Sequence, residues 1–353
     1  MAVQVTDAPT FEGVQKKRLA DFLNRGLTVG SRALESRLVL APMARLGNVA
    51  FRELLSKYGG APLMFTEMTS DRSVPDGKGY VEGLVWRSGE QRFLACQLLG
   101  RDPGAVARAA RWIGEWGFFG VDINFGCSVA SICNKGCGAA LLREPELASR
   151  IVAAVRGAVS IPLFVKFRTG WKDDPSMAVD MARRFEDAGA DALTFHPRAA
   201  PDIRTRPPRW DYIRLVKEAV SIPVFGNGNV FGLGDCLKMI EETGCDAVSV
   251  GRAALLRPWV FAEWRGHINP EPSVYRDAAL DFAQLVIRHF GEDAALRRFF
   301  QFAKYYVANF KFGHDLAARL SRARTIIEAV HEIECFFREP VEIFDSPNPA
   351  LLG

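Results

Sequence analysis

From about Leu38 onward, short apolar runs rich in β-branched residues alternate with stretches whose apolar positions recur at helical spacing. The runs predict strands at Leu38–Met43, Leu63–Met68, Phe93–Leu99, Val121–Phe125, Leu163–Arg168, Ala192–His196, Val224–Asn227 and Ala247–Gly251. The intervening helices carry their own boundary signals. Asp102-Pro103 supplies an N-cap and a first-turn proline before Ala105–Trp116, and Gly117 supplies a stop. Glu144-Pro145 opens a helix that runs to Arg156. This βα rhythm predicts an α/β fold, a closed (β/α)8 TIM barrel. The competing open sheet is disfavoured because the first strand lacks a G-x-G-x-x-G turn.

After Pro270 and Pro272 the pattern becomes helical only. Apolar residues at helical spacing over Asp277–Phe290, Ala294–Phe310, His314–Ser321 and Ala323–Phe337 predict a small C-terminal helical bundle. The expected organisation is an N-terminal extension over 1–30, a barrel over 31–268 and a helical unit over 269–353.

Composition adds little to this picture: 48% hydrophobic and 24% charged residues are ordinary globular values. No apolar run reaches the ~18 residues that would span a bilayer, and the N-terminus lacks the apolar core of a secretory signal. A cytoplasmic protein without membrane association is expected. Seven cysteines fit reduced thiols better than a disulfide framework. Cys127, Cys133 and Cys137 are too loosely spaced, with no histidine nearby, to predict a metal site. The net charge of +4 identifies no partner, but its distribution does more. Between Arg297 and Arg324, the bases Arg297, Arg298, Lys304, Lys311, Arg319, Arg322 and Arg324 meet one acid, Asp315.

In a (β/α) barrel, functional groups gather at the carboxyl ends of the strands. The residues there are Pro42-Met43-Ala44, Glu67, Gln97, Asn124 with Cys127, Lys166 with Arg168, His196 with Arg198, Asn227-Gly228-Asn229, and Gly251-Arg252. Polar residues recur at successive strand ends, which core packing does not require. GNGNV at 226–230 and GRAAL at 251–255 offer close backbone approach and a positive charge, the needs of a phosphate. Lys166 lies inside the apolar run PLFVKFR, where an amine calls for an anion, a polarised ring or a salt bridge to a core acid such as Asp122. The set asks for a phosphorylated, planar, hydrogen-bonding cofactor, and flavin mononucleotide (FMN) fits better than a dinucleotide. Cys127, just past a strand end, is placed to act as a general acid beside that ring, with Asn124 anchoring a substrate carbonyl or imide edge.

The motifs APMA (41–44), QLLG (97–100), NFGC (124–127), KGCGAALL (135–142), VKFRTGW (165–171), GNGN and GRAAL occur in the order found in the tRNA-dihydrouridine synthases, which the chain resembles from Leu38 to Phe337. The resemblance implies an FMN-dependent barrel with a helical tRNA-binding domain and NADPH as reductant. Hydride then passes to C6 of a uracil, and Cys127 supplies the proton at C5. It implies flavin contacts at Pro42, Met43, Ala44, Gln97, Lys166 and His196, a phosphate cradle of Asn227, Gly228, Asn229, Gly251 and Arg252, and Arg168 close to the substrate. Two departures stand out: Ser128 where proline is usual, and HPR at 196–198 where HGR or HAR is usual. A proline would stiffen the thiol loop, and serine is expected to leave it freer.

A uridine within folded tRNA must be turned out of its stack to reach a barrel floor. Two basic segments could hold the RNA: the loop with Arg198, Arg204, Arg206 and Arg209, and the helical face with Lys304, Lys311, Arg319 and Arg322. Phe299, Phe300, Tyr305, Tyr306 and Phe310, interleaved with the latter, are expected in the helical core rather than stacked on bases. A monomer is expected. The rival readings are a small-molecule FMN reductase of the dihydroorotate or dihydropyrimidine dehydrogenase type and a non-catalytic RNA-binding barrel.

Overall fold

A computed structural model describes residues 11–74, 85, 89–202, 206–348 and 351. Parallel strands β1 (Leu38–Leu40), β2 (Met64–Phe65), β3 (Leu94–Leu99), β4 (Gly120–Phe125), β5 (Leu163–Gly170), β6 (Ala192–Ala199), β7 (Val224–Asn227) and β8 (Ala247–Val250) pair each with its neighbour in sequence from β2 to β8. β8 then pairs with β1. The Leu40 N–H donates to Leu63 O at 3.0 Å beside the start of β2, which brings the last two edges together. The expected barrel is therefore formed.

Period-two alternation explains what each face does. Val121, Ile123, Phe125, Val165 and Phe167 face the outer helices, where Phe125 stacks on Phe185 at 5.1 Å. Facing inward at the amino ends of the strands, Val39, Phe65, Ala95, Phe164, Phe225 and Ala247 form an apolar floor. Each fully buried ring contributes about 1.5–3 kcal/mol by leaving water. Further along the same inward positions the residues turn polar, at Gln97, Asp122 and Asn124, Lys166 and Arg168, and Asn227. The barrel is thus a packed plug below and a polar basin above.

The chain before β1 is tied into this floor. A helix over Phe11–Leu23 buries Leu19 and Leu23, and an antiparallel hairpin, Leu27–Val29 with Arg32–Leu34, places Val29 and Leu34 against the floor cluster. The hairpin turns at Gly30, so it straddles the expected end of the extension.

Three strands end earlier than expected, β8 by one residue at Val250. β1 stops before Pro42, which has no N–H for the ladder, and β2 stops at Phe65. β6 runs past His196 to Ala199. The helix at Pro103–Glu115 starts as expected, with Asp102 Oδ1 accepting from Ala105 N at 2.7 Å. The C-terminal helices span Ser273–Phe290, Glu292–Tyr306, Gly313–Leu320 and Ile326–Phe336. The second ends before Phe310 because the buried Asn309 side chain donates to Tyr306 O and Leu256 O, both at 2.8 Å. The last starts later than Ala323 because Thr325 caps it through the Glu328 N–H. Phe282 packs on Phe302 at 4.5 Å and edge-on against Phe51 of the helix Val49–Lys57, and Trp259 meets Tyr275 at 4.7 Å. The helical unit therefore shares one apolar core with the outer layer of the barrel. No helix among the described residues is long and apolar enough to cross a membrane.

Candidate active site

The carboxyl ends of β1, β5, β6, β7 and β8 surround a cavity of about 180 Å3. Pro42, Met43, Lys166, His196, Asn227, Gly228, Asn229, Gly251 and Arg252 line it, as the sequence reading requires. Ala44 is exposed beside it and Gln97 lies buried below.

One wall is a turn with unusual backbone. Gly228 has φ 118° and Asn229 φ 54°, both in the left-handed region that L side chains rarely adopt. Asn229 Oδ1 accepts from both Arg198 Nη2, at 3.0 Å, and Arg252 Nη2, at 2.9 Å. Two guanidiniums therefore converge where the glycine lets backbone approach, which suits a phosphate. Arg252 also lies over the Phe231 ring at 4.8 Å. Arg198, expected near the substrate, is buried against this turn, because its strand continues three residues beyond His196.

The rest of the lining presents donors without acceptors. The Lys166 ammonium makes no hydrogen bond or ion pair with any described residue, and it approaches Asp122 electrostatically without a direct bridge. Burial lowers the Lys166 pKa and raises that of Asp122, each partly offset by the other's charge. Burial, reinforced by Lys166, Arg168, Arg198 and Arg252, holds the His196 pKa well below the usual histidine range, so the ring is neutral. Arg198 Nη1 lies 3.1 Å from His196 Nε2. A guanidinium only donates, so Nε2 accepts and the ring proton sits on Nδ1. Ser249 Oγ, buried and without a partner, lines the same space. Unmatched donors in the lining and a cationic turn beside them fit a planar, phosphorylated, acceptor-rich group such as a flavin.

A thiol loop rises beside this cavity. Asn124 Oδ1 accepts from the N–H groups of Gly126, at 2.9 Å, and Cys127, at 2.8 Å. Asn124 Nδ2 donates to Gln97 Oε1 at 2.8 Å, and Gln97 Nε2 to Asp122 Oδ2 at 2.6 Å. Both ends of each amide are thus engaged within the protein, and Asn124 fixes the thiol loop where a substrate contact was expected. Cys127 O accepts from Ala139 N at 2.8 Å. Gly138 makes this closure possible: it has φ 61°, and a Cβ there would stand 2.5 Å from Cys127 O. In the sequence Gly138 stands out only as part of KGCGAALL, and neither Ser249 nor Phe231 is marked there. Arg168 Nη1 donates to Ser128 Oγ at 3.0 Å, so the serine ties the loop down rather than freeing it.

The two basic segments fare differently. In the loop after β6, Arg206 pairs with Asp202 and Arg209 with Asp173, while Arg204 lies outside the described residues. In the helical unit, Lys304, Arg319 and Arg322 are exposed and form no ion pair with a described residue. Lys311, expected with them, pairs with Glu342 at 2.7 Å because Phe310 and Ile343 form a β-bridge that draws the tail alongside. Phe299, Tyr305, Tyr306 and Phe310 are buried in the helical core, as expected.

A family model described as Dihydrouridine synthase (Dus) matches residues 39–340. The tRNA-dihydrouridine synthase B of Pseudomonas aeruginosa is 34% identical over 319 residues, 88% of this chain and 96% of its own length. That of Xanthomonas axonopodis pv. citri is 34% identical over 308 residues, 85% of this chain and 92% of its own. Among solved structures, morphinone reductase in complex with tetrahydroNAD superposes with a TM-score of 0.51 at 14% identity, covering 71% of this chain and 93% of that one. A 2-naphthoyl-CoA reductase complex gives 0.53 at 14% identity, covering 69% and 52%. At such identity the structural likeness establishes the barrel fold. The family match runs from β1 through the helical unit and takes in both the thiol loop and the cationic turn, so the chain belongs to the dihydrouridine synthase family.

Proposed function

We propose that this protein reduces uridine to 5,6-dihydrouridine in tRNA, using FMN as bound cofactor and NADPH as reductant, with Cys127 as the proton donor. The observation that carries the reading is the placement of a held thiol loop beside a cavity that pairs a cationic turn with unmatched donors. The turn at Asn227–Asn229 with Arg252 would hold the phosphate, and Lys166 and His196 would hold the ring system. When bound, the flavin supplies a hydride to C6 of the uracil. Cys127 delivers a proton to C5, and the Asn124 amide and the Ala139 N–H keep its backbone in place. Arg168 donates to the substrate's carbonyl edge. The exposed cations of the helical unit hold RNA phosphates while the base is turned out. A tRNA substrate places the enzyme in the cytoplasm.

The test is to purify the protein and supply NADPH with unmodified tRNA. Flavin absorbance and tRNA-dependent NADPH oxidation with dihydrouridine formation are expected. Oxidation driven equally by free uracil or orotate would instead indicate a small-molecule reductase.

Arg252→Ala is expected to weaken flavin retention about tenfold or more, since a charged phosphate contact contributes roughly 1.5–3 kcal/mol. The flavin-to-protein absorbance ratio after gel filtration reads this out, and an unchanged ratio would exclude the cationic turn as the phosphate site. Gly138→Ala combines left-handed strain of roughly 1–2 kcal/mol with a clash against Cys127 O. It should retain flavin yet lose about tenfold in dihydrouridine formation, because the thiol must shift. Equal loss of flavin and activity would place the damage in the barrel as a whole.

A further inference from the structure

Two fastenings of the thiol loop lead back to β4 and to the segment around Gly138. Another crosses to β5. Arg168 Nη1 donates to Ser128 Oγ at 3.0 Å and also reaches Ala199 O at 3.1 Å and Ala200 O at 3.3 Å, at the end of β6. One guanidinium nitrogen thus joins the thiol loop, β5 and the β6 exit. The rest of the group is left over: Arg168 Nε is buried and has no hydrogen-bond partner. Its described partners are a hydroxyl and two carbonyls, so the charge is aimed without being neutralised by a bonded carboxylate.

We infer that Ser128 is a positioning residue, whose hydroxyl couples the placement of Cys127 to the orientation of Arg168 so that proton donor and carbonyl-binding cation meet one uracil in a fixed relation. The inference rests on the uridine-reducing reading above. A proline at this position would fix its own φ near −65° but has no side-chain oxygen, so it would stiffen the loop without linking it to β5. Serine reaches restraint by another route, a bond to a charged group across two strands. Replacing it by alanine leaves the loop's other fastenings intact and releases only this coupling.

The test compares Ser128→Ala, Ser128→Thr, Arg168→Lys and the Ser128→Ala/Arg168→Lys double variant in the flavin-loaded enzyme. Flavin content and flavin reduction by NADPH are read first, then the oxidation of reduced enzyme by tRNA, and then the alkylation rate of Cys127 by iodoacetamide. Ser128→Ala is expected to keep the first two readouts, to lower kcat/KM for tRNA about tenfold and to change Cys127 alkylation several-fold. Ser128→Thr should restore most of the loss, since it keeps the Oγ. In the Arg168→Lys background, removing the hydroxyl should cost little more, because the coupled partner is already gone. Three results would each overturn the inference: wild-type kinetics and alkylation in Ser128→Ala, equal damage from threonine and alanine, or a full additional loss in the double variant. Loss of flavin from Ser128→Ala would overturn it too, by showing a merely structural role. Failure of the wild type to form dihydrouridine would count against the uridine reading, while the alkylation comparison would still report on the tie.

Discussion

Cys127→Ala is expected to bind flavin and accept electrons from NADPH as the wild type does, and to lose dihydrouridine formation by about 10²–10⁴-fold, the range a positioned general acid contributes. The separation follows from the architecture. Lys166, His196 and the turn at Asn227–Asn229 line the cavity proposed for the flavin, and Cys127 stands on a loop that does not. Single-turnover oxidation of the reduced variant by tRNA is the measurement, and turnover at the wild-type rate would remove Cys127 from the mechanism. Cys133 and Cys137 are internal controls. The Cys133 thiol lies 3.5 Å from Cys127 O, and burial raises the pKa of both thiols, so each stays protonated and bonded to backbone oxygen. Alanine at either position should cost only a few-fold. A loss at Cys133 equal to that at Cys127 would mean that the proton comes from the neighbouring thiol.

How much of this site the sequence discloses depends on the range of the contacts that build it. Strand interiors are legible because period-two alternation puts Asp122 with Asn124, and Lys166 with Arg168, on one face, and polar residues on an inward face mark a basin. Gly228 is legible because only glycine suits the backbone of that turn. Pairings between distant segments are not. Arg198 reads as a substrate contact until β6 is seen to carry it to Asn229, 31 residues away. Ser128 reads as a loosened proline position until Arg168, 40 residues away, is seen to bond its hydroxyl. The hairpin around Gly30 reads as a polar extension because its two buried residues, Val29 and Leu34, are too few for a periodic signal. Charge is the least legible property, since a residue's sign is local and its compensation is not.

That last distinction bears on where the proposed RNA substrate is held. The sequence offers Lys304, Lys311, Arg319 and Arg322 as a basic face, and the fold withdraws Lys311 by pairing it with Glu342. Reversal of the remaining three, Lys304→Glu, Arg319→Glu and Arg322→Glu together, is expected to weaken tRNA binding by about 10³-fold at low salt. Each lost phosphate contact removes one counterion-release term, so the dependence of log affinity on log salt should also flatten by roughly 1 per residue. Flavin content and NADPH-driven reduction should stay at wild-type levels, because these side chains are exposed on the helical unit and none lines the cavity proposed for the flavin. Lys311→Glu alone, which sets two acids side by side, should disturb the tail and leave the salt slope nearly unchanged. An unaltered affinity and slope in a folded, flavin-loaded triple variant would mean that the barrel mouth holds the RNA without this face. The described arginines of the loop after β6 offer little in its place, since Arg206 and Arg209 already answer Asp202 and Asp173 and Arg198 is buried against Asn229. The exposed helical cations are therefore the face on which the substrate's long-range electrostatics should be found.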